Sequence, residues 1–273
     1  MITGIQSSSA TFPCPYGKCR KTKKSGGWIK GDDRTWESNI SDNESWKTET
    51  NSDIKIAKNY HNCVNVPLVK EEPNKKVIEK FPPGPLHLVR LGALNKVYGE
   101  LSKRVNLKPF EDSINITKSA YHSGCFEGNE CLKIMNNVDK LEDLVKSEDE
   151  DLMPFVDVIW KTKLLDKILN ITDLEDEFEE VIEAFSESYK VIHDNFQVSE
   201  TNKVHIIASH LSDYLKSTKR TLRKTTDQTI ECTHSKLDRF LKDHQYFRKN
   251  IDSINAGKKL FEGIKAWNSY VIN

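Results

Sequence analysis

The first eighty residues of this chain are too polar to fold on hydrophobic burial alone. From Met1 to about Lys80 the sequence runs through Ser, Asn, Lys and Gly, with Trp28, Trp36 and Trp46 scattered without period. A segment this poor in aliphatic side chains cannot bury enough surface to offset the entropy of ordering it. Something other than a core must clamp it, and a metal ion or a partner is the usual clamp. Little regular structure is expected there, and its cysteines become the residues to watch. Phe81-Pro82-Pro83-Gly84-Pro85 then breaks the chain, because each proline fixes its own φ and steers the preceding residue away from helix. The boundary falls at this run, leaving a polar, Cys-containing and poorly structured segment 1–80 and a helical domain 81–273.

After Pro85 the pattern is helical to the end. Leu94, Val97, Tyr98 and Leu101 place an amphipathic helix over Leu86 to about Lys103. The clearest helix starts at Asp173, an N-cap residue type, and carries Leu174, Phe178, Val181, Ile182, Phe185, Tyr189, Ile192 and Phe196 on one face. Further helices are expected over Glu127 to Val145, Pro154 to Asn170, Lys203 to Lys216 and Asp227 to Phe247. The fold class is therefore mainly α, an irregular metal-clamped N-terminal segment followed by a helical domain.

Composition narrows the classes of function. No apolar run among the 273 residues approaches the roughly 18 needed to span a bilayer, so no membrane partner is expected. The leader Met1 to Ala10 lacks the charged start and apolar stretch of a signal peptide. An intracellular, reducing compartment is the expectation, where six cysteines are thiols or metal ligands rather than a disulfide framework. Basic and acidic residues balance at 41 each, which argues against wholesale coating of nucleic acid but leaves local patches open. Lys18, Arg20, Lys21, Lys23, Lys24 and Lys30 form one basic tract; Lys216, Lys219, Arg220, Arg223 and Lys224 form another; Asp139 to Glu187 is acidic. The plain reading is solvated faces. The sharper one has the basic tracts contact DNA phosphates, with Trp28 and Trp36 near for stacking.

Cys14-Pro15-Tyr16-Gly17-Lys18-Cys19 sets two thiols in a turn rich in Pro and Gly, where both sulfurs can face one ion. Zinc is the natural occupant, and a closed structural site needs two more N or S ligands. His61 and Cys63 are one candidate pair, which would make a local finger and the chain a stand-alone zinc-finger-like module for a protein partner. His205 and His210 are the other, five positions apart at the start of a helix. Five residues turn a regular helix by about 140 degrees past one full turn, so these imidazoles converge only if His205 precedes the helix or its first turn is irregular. Glu231, one residue from the apolar stripe of its helix, can hold a divalent cation or stand on the helix surface. The stretch Tyr121 to Cys131 reads as a tight turn before a helix, because it lacks both a phosphate-loop lysine and a preceding strand.

Several segments, in order, resemble parts of transposon-derived animal proteins: Pro82-Pro83-Gly84-Pro85-Leu86-His87, Tyr121-His122-Ser123-Gly124 with Phe126-Glu127-Gly128-Asn129, Lys203-Val204-His205, and Asp227-Gln228-Thr229-Ile230-Glu231. These in turn are similar to the later part of the catalytic core of Transib transposases and the V(D)J recombinase catalytic subunit. In that family an RNase H-like core cuts DNA with three acids and divalent metal, and a helical insertion with a zinc site lies between the second and third acids. The resemblance implies that Cys14 and Cys19 are the cysteine ligands, that His205 and His210 are the His-x4-His pair, and that Glu231 stands where the final acid belongs. The chain departs from the pattern in its cysteines, separated by four residues rather than two.

It departs further at the catalytic acids. In the family both earlier acids precede the cysteine pair, whereas thirteen residues precede Cys14 here and none is Asp or Glu. A two-metal site needs several carboxylates to hold ions about 3.5 to 4 Å apart. The expectation is a remnant of an RNase H-like transposase core without its sheet, holding structural zinc and a vestigial Glu231, unable to cut DNA by itself. Magnesium or manganese would serve only an active parent enzyme. The nucleus is the expected location, with DNA and a second copy of the chain as the partners to look for.

Overall fold

The structure is a computed structural model that describes residues 11–22, 26–64, 74, 76–80, 82–119, 125–174 and 176–225. The chain divides into two units, Met1–Thr226 and Asp227–Asn273, and the described residues all belong to the first. Glu231, the helix expected over Asp227 to Phe247, Lys23, Lys24 and Tyr121-His122-Ser123-Gly124 lie outside them. The boundary expected at Phe81–Pro85 falls inside the first unit.

Among the described residues the fold is mainly helical, with a single two-stranded sheet. Strands β1 (Arg20–Lys21) and β2 (Trp28–Ile29) pair antiparallel, Arg20 opposite Ile29 and Lys21 opposite Trp28. The N-terminal segment then departs from the irregular structure expected of it. Helix α1 (Trp36–Thr50) starts at a capping box, in which Thr35 accepts from the Ser38 amide and Ser38 accepts from the Thr35 amide. Its buried residues are Trp36, Asn39, Asn43 and Trp46, a helical spacing in which two of four positions are asparagine. A 3₁₀ helix (Ile54–Tyr60) folds back on α1, and the Trp46 indole donates to the Asp53 carbonyl at 2.9 Å.

The short helix α2 (Val77–Lys80) leads through the prolines to a π-helical segment (Leu86–Leu94) that continues as α3 (Asn95–Leu101). There follow α4 (Lys108–Ser113), α5 (Gly128–Asn136), α6 (Val138–Glu148), α7 (Met153–Asn170) and α8 (Phe178–Phe196). The helix expected over Glu127 to Val145 is thus two, broken at Asn137. The longest stripe starts later than expected: Glu177, not Asp173, caps α8, and Phe178, Ile182, Phe185, Tyr189 and Ile192 are its buried face. That face packs on α7, which buries Phe155, Val158, Ile159 and Leu165 in the same core. Last come α9 (Asn202–Ile206), a π-helical turn (Ile207–Leu211), α10 (Ser212–Thr218) and a 3₁₀ helix (Leu222–Thr225). No helix among the described residues is long and apolar enough to cross a membrane.

Two polar features tie the layers together. Arg90, on the π-helical segment, donates from Nε and Nη2 to the two carboxylate oxygens of Asp166 on α7 at 2.8 and 2.9 Å, largely out of solvent. Breaking such a pair leaves one charge buried without its counterion. Asp166→Asn is therefore expected to cost about 3 kcal/mol, measured by urea unfolding. Glu200, in the link between α8 and α9, donates its amide to the Gly26 carbonyl beside the strand pair. Burial pushes its carboxyl up to about 7. The folded state then binds more protons than the unfolded one between the ordinary carboxylate range and pH 7, so this group lowers stability as pH rises through that window. Glu200→Gln is expected to raise the Tm by about 2–4 °C at pH 8 and to leave it unchanged near pH 4, read by thermal melts at both pH values.

Candidate metal centre

The knuckle Cys14–Cys19 is held from below by the chain that follows it. Lys18 donates its amide to the Asp32 carbonyl and Arg34 donates its amide to the Tyr16 carbonyl, at 2.7 and 2.8 Å, with Gly17 bridged to Asp33. The two sulfurs lie inside this turn, both fully buried. The amides of Tyr16 and Gly17 hydrogen-bond to the Cys14 sulfur, and the Gly31 amide bonds to that of Cys19, an arrangement that favours thiolates. Gly17 leaves room for the rest of the centre, since a Cβ there would stand 2.8 Å from both the Cys19 Sγ and the His210 Cε1.

The imidazoles arrive from the other end of the sequence. His205 belongs to α9, capped by Thr201, and His210 to the π-helical turn that interrupts the helix before α10. A π turn bonds amides to carbonyls five residues back, so it swings position i+5 toward position i. The irregularity that the five-residue spacing demands is thus present. The two rings stand edge to face with centroids 5.2 Å apart.

Together Cys14, Cys19, His205 and His210 bring four ligand atoms within 4.8 Å of one another, every residue buried. The Nε2 atom of His210 lies 3.3 Å from the Cys14 sulfur and 3.8 Å from that of Cys19. Those are the edges of a tetrahedron about a zinc ion with bonds of about 2.3 Å to sulfur and about 2.0 Å to nitrogen. The Nε2 atom of His205 is buried with no hydrogen-bond partner of ordinary geometry among the described residues, the Cys19 sulfur being the polar group its ring meets. A buried, unpaired ring nitrogen costs stability unless something satisfies it, and burial holds this imidazole below its ordinary pKa, in the neutral form that ligates metal. The opposite nitrogens are oriented as ligating histidines require. His205 Nδ1 meets the Ser209 hydroxyl at 3.3 Å, and His210 Nδ1 faces Asp33 at 3.9 Å, a carboxylate that also holds Lys76. Burial pushes the Cys14 thiol up, while the hydrogen bond from Cys14 holds Cys19 down. The residues fit a zinc ion with Cys2His2 coordination.

The alternative ligands stand elsewhere. Cys63 lies against the Arg34 guanidinium at 3.2 Å, and His61 pairs with Asp42 at 3.1 Å, which also holds the Lys18 ammonium at 2.9 Å. Neither His61 nor Cys63 joins the group of Cys14, Cys19, His205 and His210. Lys18 is accordingly engaged within the fold, whereas Arg20, Arg220 and Arg223 are exposed. Lys21 is half-buried with its ammonium 6.0 Å over the Trp28 ring, and Lys224 belongs to the last 3₁₀ helix. The two tryptophans expected to stack on bases face inward: Trp36 is buried, and Trp28 lies flat on the His205 imidazole at 4.0 Å and 8°. Sequence reasoning missed that stacking, as it missed Arg34 and Asp33, none of which lies in a motif.

No family model matches this chain, and no curated protein matches it either.

The crowding at Gly17 gives a direct test of the geometry. Gly17→Val is expected to weaken zinc binding about 10–100-fold in competition with a chromophoric chelator. Gly99→Ala, whose added Cβ meets nothing within 4 Å, should bind as the parent does.

Proposed function

We propose that this chain is a zinc-organised helical module of transposase origin, which binds rather than cuts. The observation that carries the reading is the convergence of Cys14 and Cys19 with His205 and His210, in the order and with the histidine spacing that the resemblance to the Transib and V(D)J recombinase core calls for. Neither the cysteine turn nor the histidine pair is unusual alone; four donors meeting across nearly the whole described chain is a demanding coincidence. In this reading zinc is structural, since four protein ligands close the tetrahedron and leave no position for substrate.

Within this sequence Glu231 alone matches one of the family's three catalytic acids, and a single carboxylate cannot hold two ions for phosphoryl transfer. In this reading the module contributes architecture and contact. Its counterpart is DNA, met through phosphates by Arg20, Lys21, Arg220 and Arg223 with Lys23, Lys24 and Lys224, and its place of action is the nucleus. The inward-facing tryptophans support a backbone-directed, sequence-indifferent mode over base stacking.

The test combines metal, fold and DNA. The purified chain is expected to hold one zinc ion and to lose helical circular dichroism on chelation, because structural zinc contributes on the order of 10 kcal/mol. His205→Ala with His210→Ala should abolish zinc retention, while His61→Ala with Cys63→Ser should not. The logarithm of the binding constant for duplex DNA should fall linearly with the logarithm of salt concentration, with little dependence on sequence. Zinc-free protein that stays fully folded, or strand cleavage by this chain with magnesium or manganese that Glu231→Gln abolishes, would overturn the reading.

A further inference from the structure

Arg34 is fully buried, and its side chain reaches six acceptors. Nε donates to the carbonyls of Cys14 and Gly17 at 3.0 and 3.1 Å. Nη1 donates to Asn39 Oδ1 and the Cys63 sulfur, both at 3.2 Å. Nη2 donates to the carbonyls of His61 and Phe12 at 2.7 and 3.4 Å. All five N–H groups of the guanidinium are thereby used, and none of these acceptors is a carboxylate. Removing a cation from water costs several kcal/mol, so a charge spent wholly on carbonyls, an amide and a thiol asks what those acceptors gain.

They gain orientation. The Arg34 side chain captures the Cys14 and Gly17 carbonyls, and its own amide captures the Tyr16 carbonyl at 2.8 Å. These are three of the carbonyls of the knuckle. A trans peptide points its N–H opposite its C=O, so holding the Tyr16 carbonyl outward turns the Gly17 amide inward, where it bonds to the Cys14 sulfur. The same guanidinium reaches the 61–63 turn and α1, which fixes its plane against those elements rather than leaving it to follow the knuckle.

We infer that Arg34 is a positioning residue for the metal centre: it preorganises the Cys14–Cys19 turn for two thiolates and so sets the affinity of the site. The inference rests on the zinc reading above. It is distinct from a general contribution to stability, because Arg34 acts on the ligand turn itself. Groups that orient metal ligands typically account for 10–100-fold in affinity when altered, and an Arg-to-Lys change is not conservative where a planar fork bonds several acceptors at once.

Zinc affinity of the full chain is to be measured by competition with a chromophoric chelator, for the parent, Arg34→Lys, Asn39→Ala and Asp166→Asn. The parent's one-to-one zinc binding tests the zinc reading; the ratios among variants test the role of Arg34. Arg34→Lys is expected to bind about 10–100-fold more weakly while regaining parental circular dichroism at saturating zinc. Asn39→Ala removes one acceptor that aims the guanidinium and leaves the turn intact, so it should weaken binding in the same direction by about 3–10-fold. Asp166→Asn, destabilised far along the sequence from the knuckle, should lose affinity only in proportion to the stability it loses in urea, because zinc binding and folding are linked. Parental affinity in Arg34→Lys overturns the inference, as does a loss no larger than its own drop in urea stability accounts for on the Asp166→Asn scale. If Arg34→Lys does not fold even with excess zinc, Asn39→Ala decides alone, and parental affinity there overturns it.

Discussion

Two sulfurs and two imidazoles hold the polar front of the chain against its last described helices. Each half of the centre is shaped by its own local structure: the turn at Cys14–Cys19 by backbone hydrogen bonds to its sulfurs, the histidine pair by the π-helical turn at Ile207–Leu211. Closing so long a loop is less costly than its length suggests, because each doubling adds only about 0.6 kcal/mol. A structural zinc ion in this centre would contribute on the order of 10 kcal/mol, enough to offset that closure and the ordering of much of the segment that precedes α2. The cluster also explains the placement of the strand pair, since Cys19 adjoins β1 while Trp28 of β2 lies on the His205 ring.

The N-terminal segment shows how a sequence without an apolar core still reaches one structure. Its interior is polar and cross-linked by hydrogen bonds: Asn39 accepts from Arg34, Asn43 donates to the Cys63 carbonyl at 3.0 Å, and the Arg34 guanidinium joins the backbone at Cys14 to that at His61. Polar interiors of this kind tolerate few arrangements, because any slip leaves a donor or acceptor buried and unpaired. The large aromatic side chains supply what apolar burial there is, with Trp36 and Trp46 on the inner face of α1.

How far the chain could be read varies with the physics of each element. The stripe Phe178, Ile182, Phe185, Tyr189 and Ile192 follows the helical period closely enough to be seen directly, and only its start was misplaced, since Asp173 has the chemistry of a cap but Glu177 holds the position. Helix α1 was hidden because its buried positions include Asn39 and Asn43, which apolar periodicity does not register. The histidine pair was legible through its likeness to a known pattern and not through spacing, which in a regular helix sends the two rings apart; a π turn leaves no mark in the residue types that form it. Arg34 gave no signal at all. Its importance comes from six acceptors scattered between Phe12 and Cys63, and nothing local to position 34 announces them.

The separation of the ligands has a consequence for biosynthesis. Cys19 and His210 are 191 positions apart, and chains leave the ribosome at about 5–20 residues per second. For roughly 10–40 s, on that rate, a nascent chain displays both thiols with no imidazole to complete their coordination. The knuckle must wait through translation of every intervening helix, so a metal ion shared with the histidines could be enclosed only after they emerge.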